Sequence, residues 1–242
     1  MQEGVLRRTI HWETSTGIRV KISSERVASL ADEHVGVFRY RVTNEDSSTH
    51  LDIALWANYN TAVGNYDLMH WETVDQGFEG EVLWLQSETK KSKVQLAQTL
   101  TFTTTLPECR TEYIASYIAP SIRIYGKLAP GETMEAEKLV VMYTTRDGVE
   151  PVSAALGHHR KLRGAITFDT PTTNAPIYEQ LLVKHKEAWQ QFWQEADVII
   201  EGDEKSQLAI RYNIFQLRIN ASAHDDRYSI AAKGLTGFGY RG

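Results

Sequence analysis

From residue 5 to about 145 the chain alternates short runs of β-branched and aromatic residues with polar ones, punctuated by turn formers, and this is the pattern of half-buried strands. Ile18, Val20 and Ile22 alternate with Arg19 and Lys21; Val35, Val37, Phe38, Tyr40 and Val42 follow, then Leu51, Ile53 and Leu55. Further strands are expected within 81–86, 94–104, 111–119, 122–128 and 132–145. Strands this dense, with half-polar alternation, predict two antiparallel layers, so the fold class is mainly β with an antiparallel β-sandwich. The segment Leu128-Ala-Pro-Gly-Glu132 carries turn chemistry and is expected to join two neighbouring strands. Residues 67–80, rich in aromatic and charged side chains with weak periodicity, read as a long surface loop.

After Arg146 the period changes. Val152 to Arg163 has helical spacing, and Pro171 and Pro176 bracket a connector, with Pro176 suited to the first position of a helix. Tyr178, Leu181, Leu182, His185, Trp189, Phe192, Trp193 and Ala196 then recur at intervals of three and four, an apolar stripe opposite Lys184, Lys186, Glu187 and Gln190. A further helix is expected from the N-cap residue Asp203, with Leu208, Tyr212, Phe215 and Ile219 on one face. Ile210, Ile214 and Leu217 broaden that surface, which predicts burial on several sides. The glycine-rich stretch with Gly234, Gly237, Gly239 and Gly242 comes next. The organisation read from this is a sandwich over 1–148, a helical linker over 149–200 and the opening of a larger helical body over 201–242, the chain being a piece of something longer.

Composition narrows the function classes. The 242 residues carry 26 Lys plus Arg against 31 Asp plus Glu, a net charge of -5, so neither nucleic acid nor an anionic membrane is an expected partner. Apolar runs such as Leu139 to Tyr143 are far below the ~20 residues of a membrane span, and the first residues lack a signal-peptide core. The single cysteine, Cys109, excludes an intrachain disulfide and fits a reducing, cytoplasmic setting.

Motifs add little by themselves. Gly237-Phe-Gly-Tyr-Arg-Gly242 matches G-x-G-x-x-G, but no strand precedes it and no acidic residue follows it, so it is not read as a dinucleotide fingerprint. The eight histidines show no zinc-binding spacing, and the adjacent His158 and His159 cannot share one helix face. His224-Asp225-Asp226 reads as capping and solvated charge, with a proton relay as the alternative. No nucleophile elbow, phosphate loop or carboxylate pair is assigned by spacing.

Four stretches resemble glycoside hydrolase family 65. They are Leu208-Ala-Ile-Arg-Tyr-Asn-Ile-Phe-Gln-Leu217 with His224-Asp-Asp-Arg227, Ile230-Ala-Ala-Lys-Gly-Leu-Thr-Gly237, and Gly239-Tyr-Arg-Gly242. Gly4 to Arg8, Trp12 to Thr14, Ser24 to Arg26, Ser29 to Ala31 and His70-Trp71 are similar to that family's N-terminal domain. The resemblance implies an N-terminal β-sandwich, a helical linker and the first helix of an (α/α)6 barrel. It implies inverting phosphorolysis of an α-glucobiose of the kojibiose, trehalose or maltose type, giving β-glucose 1-phosphate and glucose, with inorganic phosphate as co-substrate and no metal or organic cofactor. The catalytic glutamate is expected beyond this chain, which alone is then inactive, and full-length members are expected to be homodimers. Within the chain the glycine loop is expected near the sugar, with Lys233, Tyr240 and Arg241 lining or shaping the pocket. Phe238 stands where the family's pattern more often has an acidic residue, which leaves the substrate open. The alternatives are a hydrolase of the same family and a stand-alone carbohydrate-binding or scaffold sandwich.

Overall fold

The computed structural model describes residues 1–58, 64–65, 68–116, 119–164 and 177–227. Twelve strands precede the helices: β1 (Leu6–Glu13), β2 (Arg19–Ala28), β3 (Val35–Asn44), β4 (Leu51–Asn58), β5 (Gly64–Asn65), β6 (Leu68–Met69), β7 (Trp71–Glu79), β8 (Val82–Thr89), β9 (Gln95–Thr104), β10 (Arg110–Ile114), β11 (Ser121–Leu128) and β12 (Thr133–Thr144). A 3-10 turn at Thr145–Asp147 leads to α1 (Pro151–Arg163), α2 (Ile177–Ala196) and α3 (Glu204–Asn220). The main sheet has the order β1-β2-β3-β12-β9-β8-β7, a second sheet runs β10-β11-β4, and β5 pairs with β6. All pairings are antiparallel.

Strand β12 shows why the pattern folds this way. Its residues Met134, Ala136 and Val140 face the small sheet, where they meet Leu51, Ile53 and Leu128 in one cluster and Ala57 and Ile122 in another. Leu139 and Val141, on the opposite face, pack with Val27, Val35 and Val37 against Ile177, Tyr178, Leu181 and Leu182 of α2. A strand covered on both faces loses its polar alternation, which is why 139–141 reads as a continuous apolar run. The molecule thus has three layers: the small sheet, the main sheet, and α1 with α2. The connector holding Pro171 and Pro176 lies outside the described residues.

Three expectations change. Residues 71–79 form an edge strand of the main sheet, not a loop; a register shift between Thr73 and Asp75 breaks the alternation that would have marked it. The turn 128–132, with Gly131 at φ +75°, does not join hydrogen-bonded neighbours but carries the chain from the small sheet to the main one. Asn44, fully buried, fixes that crossing: its side-chain amide donates to the carbonyls of Thr49, Leu128 and Ala129, and its own carbonyl accepts from Gly131. Finally, no residue of α3 is buried, and Leu208, Tyr212, Leu217 and Ile219 are exposed. Within the described residues, α3 meets an apolar partner through Phe215, stacked on Trp189 at 5.2 Å.

Helix docking uses polar pins in the apolar layer. Glu137 of β12 accepts from the backbone N–H groups of Ile177 and Tyr178, placing a carboxylate at the start of α2; burial pushes its acidity down, raising its pKa. Arg39, buried on β3, binds Glu25 and Glu179 and lies 3.9 Å from the centre of the Tyr178 ring. His159 of α1 is fully buried between the hydroxyls of Thr99 (2.9 Å) and Thr101 (3.0 Å) on β9. His185 of α2 accepts from the N–H of Leu30 through Nδ1, so its Nε2–H donates to the Gly4 carbonyl. Burial lowers the pKa of both histidines, that of His159 to about 3, so both are neutral pins.

Candidate functional site

The site expected from the sequence lies in the segment after α3, and the structure shows where that segment is anchored. Asp203 caps α3 by accepting from the N–H groups of Lys205 and Ser206, and a bidentate Arg211–Asp197 pair ties the helix to the end of α2. Beyond Asn220 the chain turns back onto the sandwich. His224 Nδ1 stands 2.6 Å from Glu33, and Arg227 donates to the carbonyl of Arg146 at 3.0 Å while pairing with Asp225. The last described residues before 228 are therefore tethered to a corner formed by the β2–β3 loop and the end of β12.

That corner is a hydrogen-bonded stack. The Asp32 carboxylate accepts from His158 Nε2–H at 3.0 Å, and His158 Nδ1 lies in hydrogen-bond contact with the Tyr143 hydroxyl at 3.1 Å. His34 lies flat on Tyr143, ring centres 3.7 Å apart, and donates through Nδ1 to the carbonyl of Met142. Burial, and then the carboxylates of Asp32, Asp147 and Glu33, push the Tyr143 hydroxyl up, so it remains a proton donor. Asp32, His158 and Tyr143 are ordered like a relay, but a phenol held protonated is a positioning group here rather than a nucleophile or base.

Beside this corner a groove of about 880 Å³ opens, lined by Phe38, Val140 and Met142 of the main sheet and by Trp189, Phe215 and Ile219 of the helices. Of its two cationic strand residues, Arg26 and Lys138, the lysine donates to the Asn58 carbonyl at 3.2 Å, and burial lowers its pKa. Lys233, Tyr240 and Arg241, together with Phe238 and the glycines around them, lie outside the described residues. Of the sequence-singled groups, His224 takes a partner on the sandwich, while Asp225 serves Arg227. The Asp32–His158–Tyr143 stack had no signal in the sequence, because its members are far apart in the chain and share no spacing.

The comparisons agree along the chain. The family model of the glycosyl hydrolase family 65 N-terminal domain matches residues 1–192. Kojibiose phosphorylase of Halothermothrix orenii is 29% identical over 100% of this chain and 31% of its own length. Kojibiose phosphorylase of Escherichia coli is 30% identical over 99% of this chain and 31% of its own length. The α,α-trehalose phosphorylase of Thermoanaerobacter brockii is 26% identical over 100% of this chain and again 31% of its own length. The chain thus spans under a third of the curated relatives it matches. A solved structure described as a candidate kojibiose phosphorylase from the human microbiome superposes with a TM-score of 0.79 at 18% identity, covering 97% of this chain and 29% of that one, and it shares the fold. With the family's N-terminal domain matched from residue 1 to residue 192, the chain belongs to glycosyl hydrolase family 65.

Proposed function

We propose that this chain is the front part of an inverting disaccharide phosphorylase acting on an α-glucobiose of the kojibiose, trehalose or maltose type. The observation that carries the reading is the collinear match of the complete chain to phosphorylases of kojibiose, trehalose, nigerose and maltose. In this reading 1–148 is the sandwich, 149–200 the linker and 201–242 the beginning of an (α/α)6 barrel. The unburied apolar residues Leu208, Tyr212 and Leu217 of α3 support that role, since a first barrel helix needs neighbours on several sides.

The chemistry is a single displacement. A glutamate beyond these residues protonates the glycosidic oxygen while a phosphate oxygen attacks the anomeric carbon from the opposite face. The C–O bond to the leaving glucose breaks as the C–O bond to phosphate forms, and the anomeric configuration inverts. The products are β-glucose 1-phosphate and glucose, without metal or organic cofactor. This chain's part is positioning: the His224–Glu33 and Arg227–Arg146 contacts hold the segment that leads to Lys233, Tyr240 and Arg241, which line or shape the sugar pocket. The enzyme works in the cytoplasm as a homodimer.

The test is phosphorolysis by the longer protein that contains these residues, given kojibiose, trehalose, nigerose and maltose with inorganic phosphate. Formation of β-glucose 1-phosphate from one of them is expected, with no turnover by the 242-residue chain alone. Glucose release independent of phosphate would make the protein a hydrolase of the family, and turnover by the short chain would overturn the assignment of the acid.

A further inference from the structure

The outer face of the small sheet carries an arrangement that neither the core nor the phosphorolysis uses. Registers place Trp56 of β4 beside Arg123 of β11, and Arg123 beside Glu112 of β10. In the next outward row Ala54 lies beside Tyr125, and Tyr125 beside Arg110. The inward partners Ala57, Ile122 and Ile124 are buried, so this face looks away from the core. Trp56 is 62% exposed, an unusual state for an indole on a strand, and the Arg123 guanidinium lies 4.2 Å from its ring centre. The Arg110 guanidinium lies 5.3 Å from the Tyr125 ring and pairs with Glu112 at 2.6 Å.

Two groups on this face lack the partner their chemistry calls for. Arg123 has no carboxylate partner among the described residues, since its guanidinium lies on the Trp56 ring while Glu112, beside it in register, pairs with Arg110. The indole carries the cation over its ring and remains largely open to solvent. Ala54, small and exposed, leaves a shallow step between Trp56 and Tyr125 on strands about 4.8 Å apart. A ligand that satisfies both groups has an apolar C–H face for the electron-rich ring and oxygens for the guanidinium. The Glu112 carboxylate beside Arg110 opposes a polyanion, and the absence of large aliphatic side chains in these two rows disfavours a protein partner.

We propose that this face is a surface binding site for a neutral chain of pyranose sugars, with Trp56 as stacking platform and Arg123 and Glu112 as donor and acceptor to ring hydroxyls. The site belongs to the sandwich itself and stands or falls independently of the catalytic reading.

The experiment titrates the 242-residue chain with maltoheptaose, cellohexaose and glucose 1-phosphate. It follows the indole N–H signal that disappears in Trp56→Ala and measures affinity by calorimetry. The expected result is a shift of the Trp56 signal by a neutral oligosaccharide with a dissociation constant of roughly millimolar order. Affinity should fall about tenfold or more in Trp56→Ala, fall less in Arg123→Met and be partly kept in Trp56→Phe. Circular dichroism of the variants confirms that they fold, and the Arg123→Met arm stands alone if Trp56→Ala does not. No binding by either oligosaccharide, binding unchanged in Trp56→Ala, or glucose 1-phosphate binding more tightly than both oligosaccharides would each overturn the proposal.

Discussion

The His159 pin makes a quantitative demand on stability. Its ring is closed between Thr99 and Thr101 with no exposure, and burial lowers its pKa from 6.5 to about 3. A histidine depressed in the folded state binds a proton in the unfolded chain first, so stability is complete above pH 6.5 and is lost as pH falls below it. The loss grows by about 1.36 kcal/mol per pH unit, reaching roughly 2 kcal/mol at about pH 5. His159→Gln keeps a donor and an acceptor between the threonines but does not titrate. Urea unfolding of both proteins at about pH 7 and about pH 5 then isolates this group, because His185 and the carboxylates titrate in both. The variant starts from a lower stability, but its drop between the two conditions should be smaller than the parent's by about 2 kcal/mol. Equal drops in the two proteins would refute the assignment of His159 as a neutral, desolvated pin.

Two substitutions test other parts of the packing. Gly4 has φ +57°, and a Cβ there would sit 2.0 Å from the Trp189 indole nitrogen, so Gly4→Ala should cost about 2 kcal/mol or more and move the tryptophan emission, read by fluorescence-detected urea unfolding. Arg39→Met removes the cation over Tyr178 and the link from β3 to Glu179 of α2, while Glu25 keeps Arg7 and Glu179 is solvated, and should lower stability by about 1 kcal/mol, with the loss of α2 amide protection in hydrogen exchange showing that the helix is what loosens.

How much was legible follows from what covers each element. Strand β3, with Val35 and Val37 inside on its helix face, and helix α2, with Tyr178, Leu181, His185 and Trp189 inside, each present a buried face with the period of their element, so periodicity found them. Strand β7 is an edge with a register shift, and its alternation is broken where it would have been read. The broad apolar surface of α3 was legible as composition, but burial depends on neighbours, and the described residues offer only the cluster around Trp189. The turn chemistry at 128–132 was right about the bend and silent about which sheet lay on each side. His158 and His159 were adjacent letters; only the fold sends one to Tyr143 and Asp32 and the other to two threonines.

Asn44 sets an order on the folding of the chain. Its amide closes on carbonyls 5, 84 and 85 positions away, and those carbonyls come together only after the β3–β4 and β11–β12 crossovers have both been laid down. Loop closure over such separations is slow compared with hairpin formation, so β1–β2–β3 and β7–β8–β9, the two wings of the main sheet, can zip locally before β12 joins them and before the small sheet is hinged to it. The Asn44 contacts can therefore form only once both crossovers are in place, so the hinge between the small sheet and the main sheet closes after the local hairpins of either one.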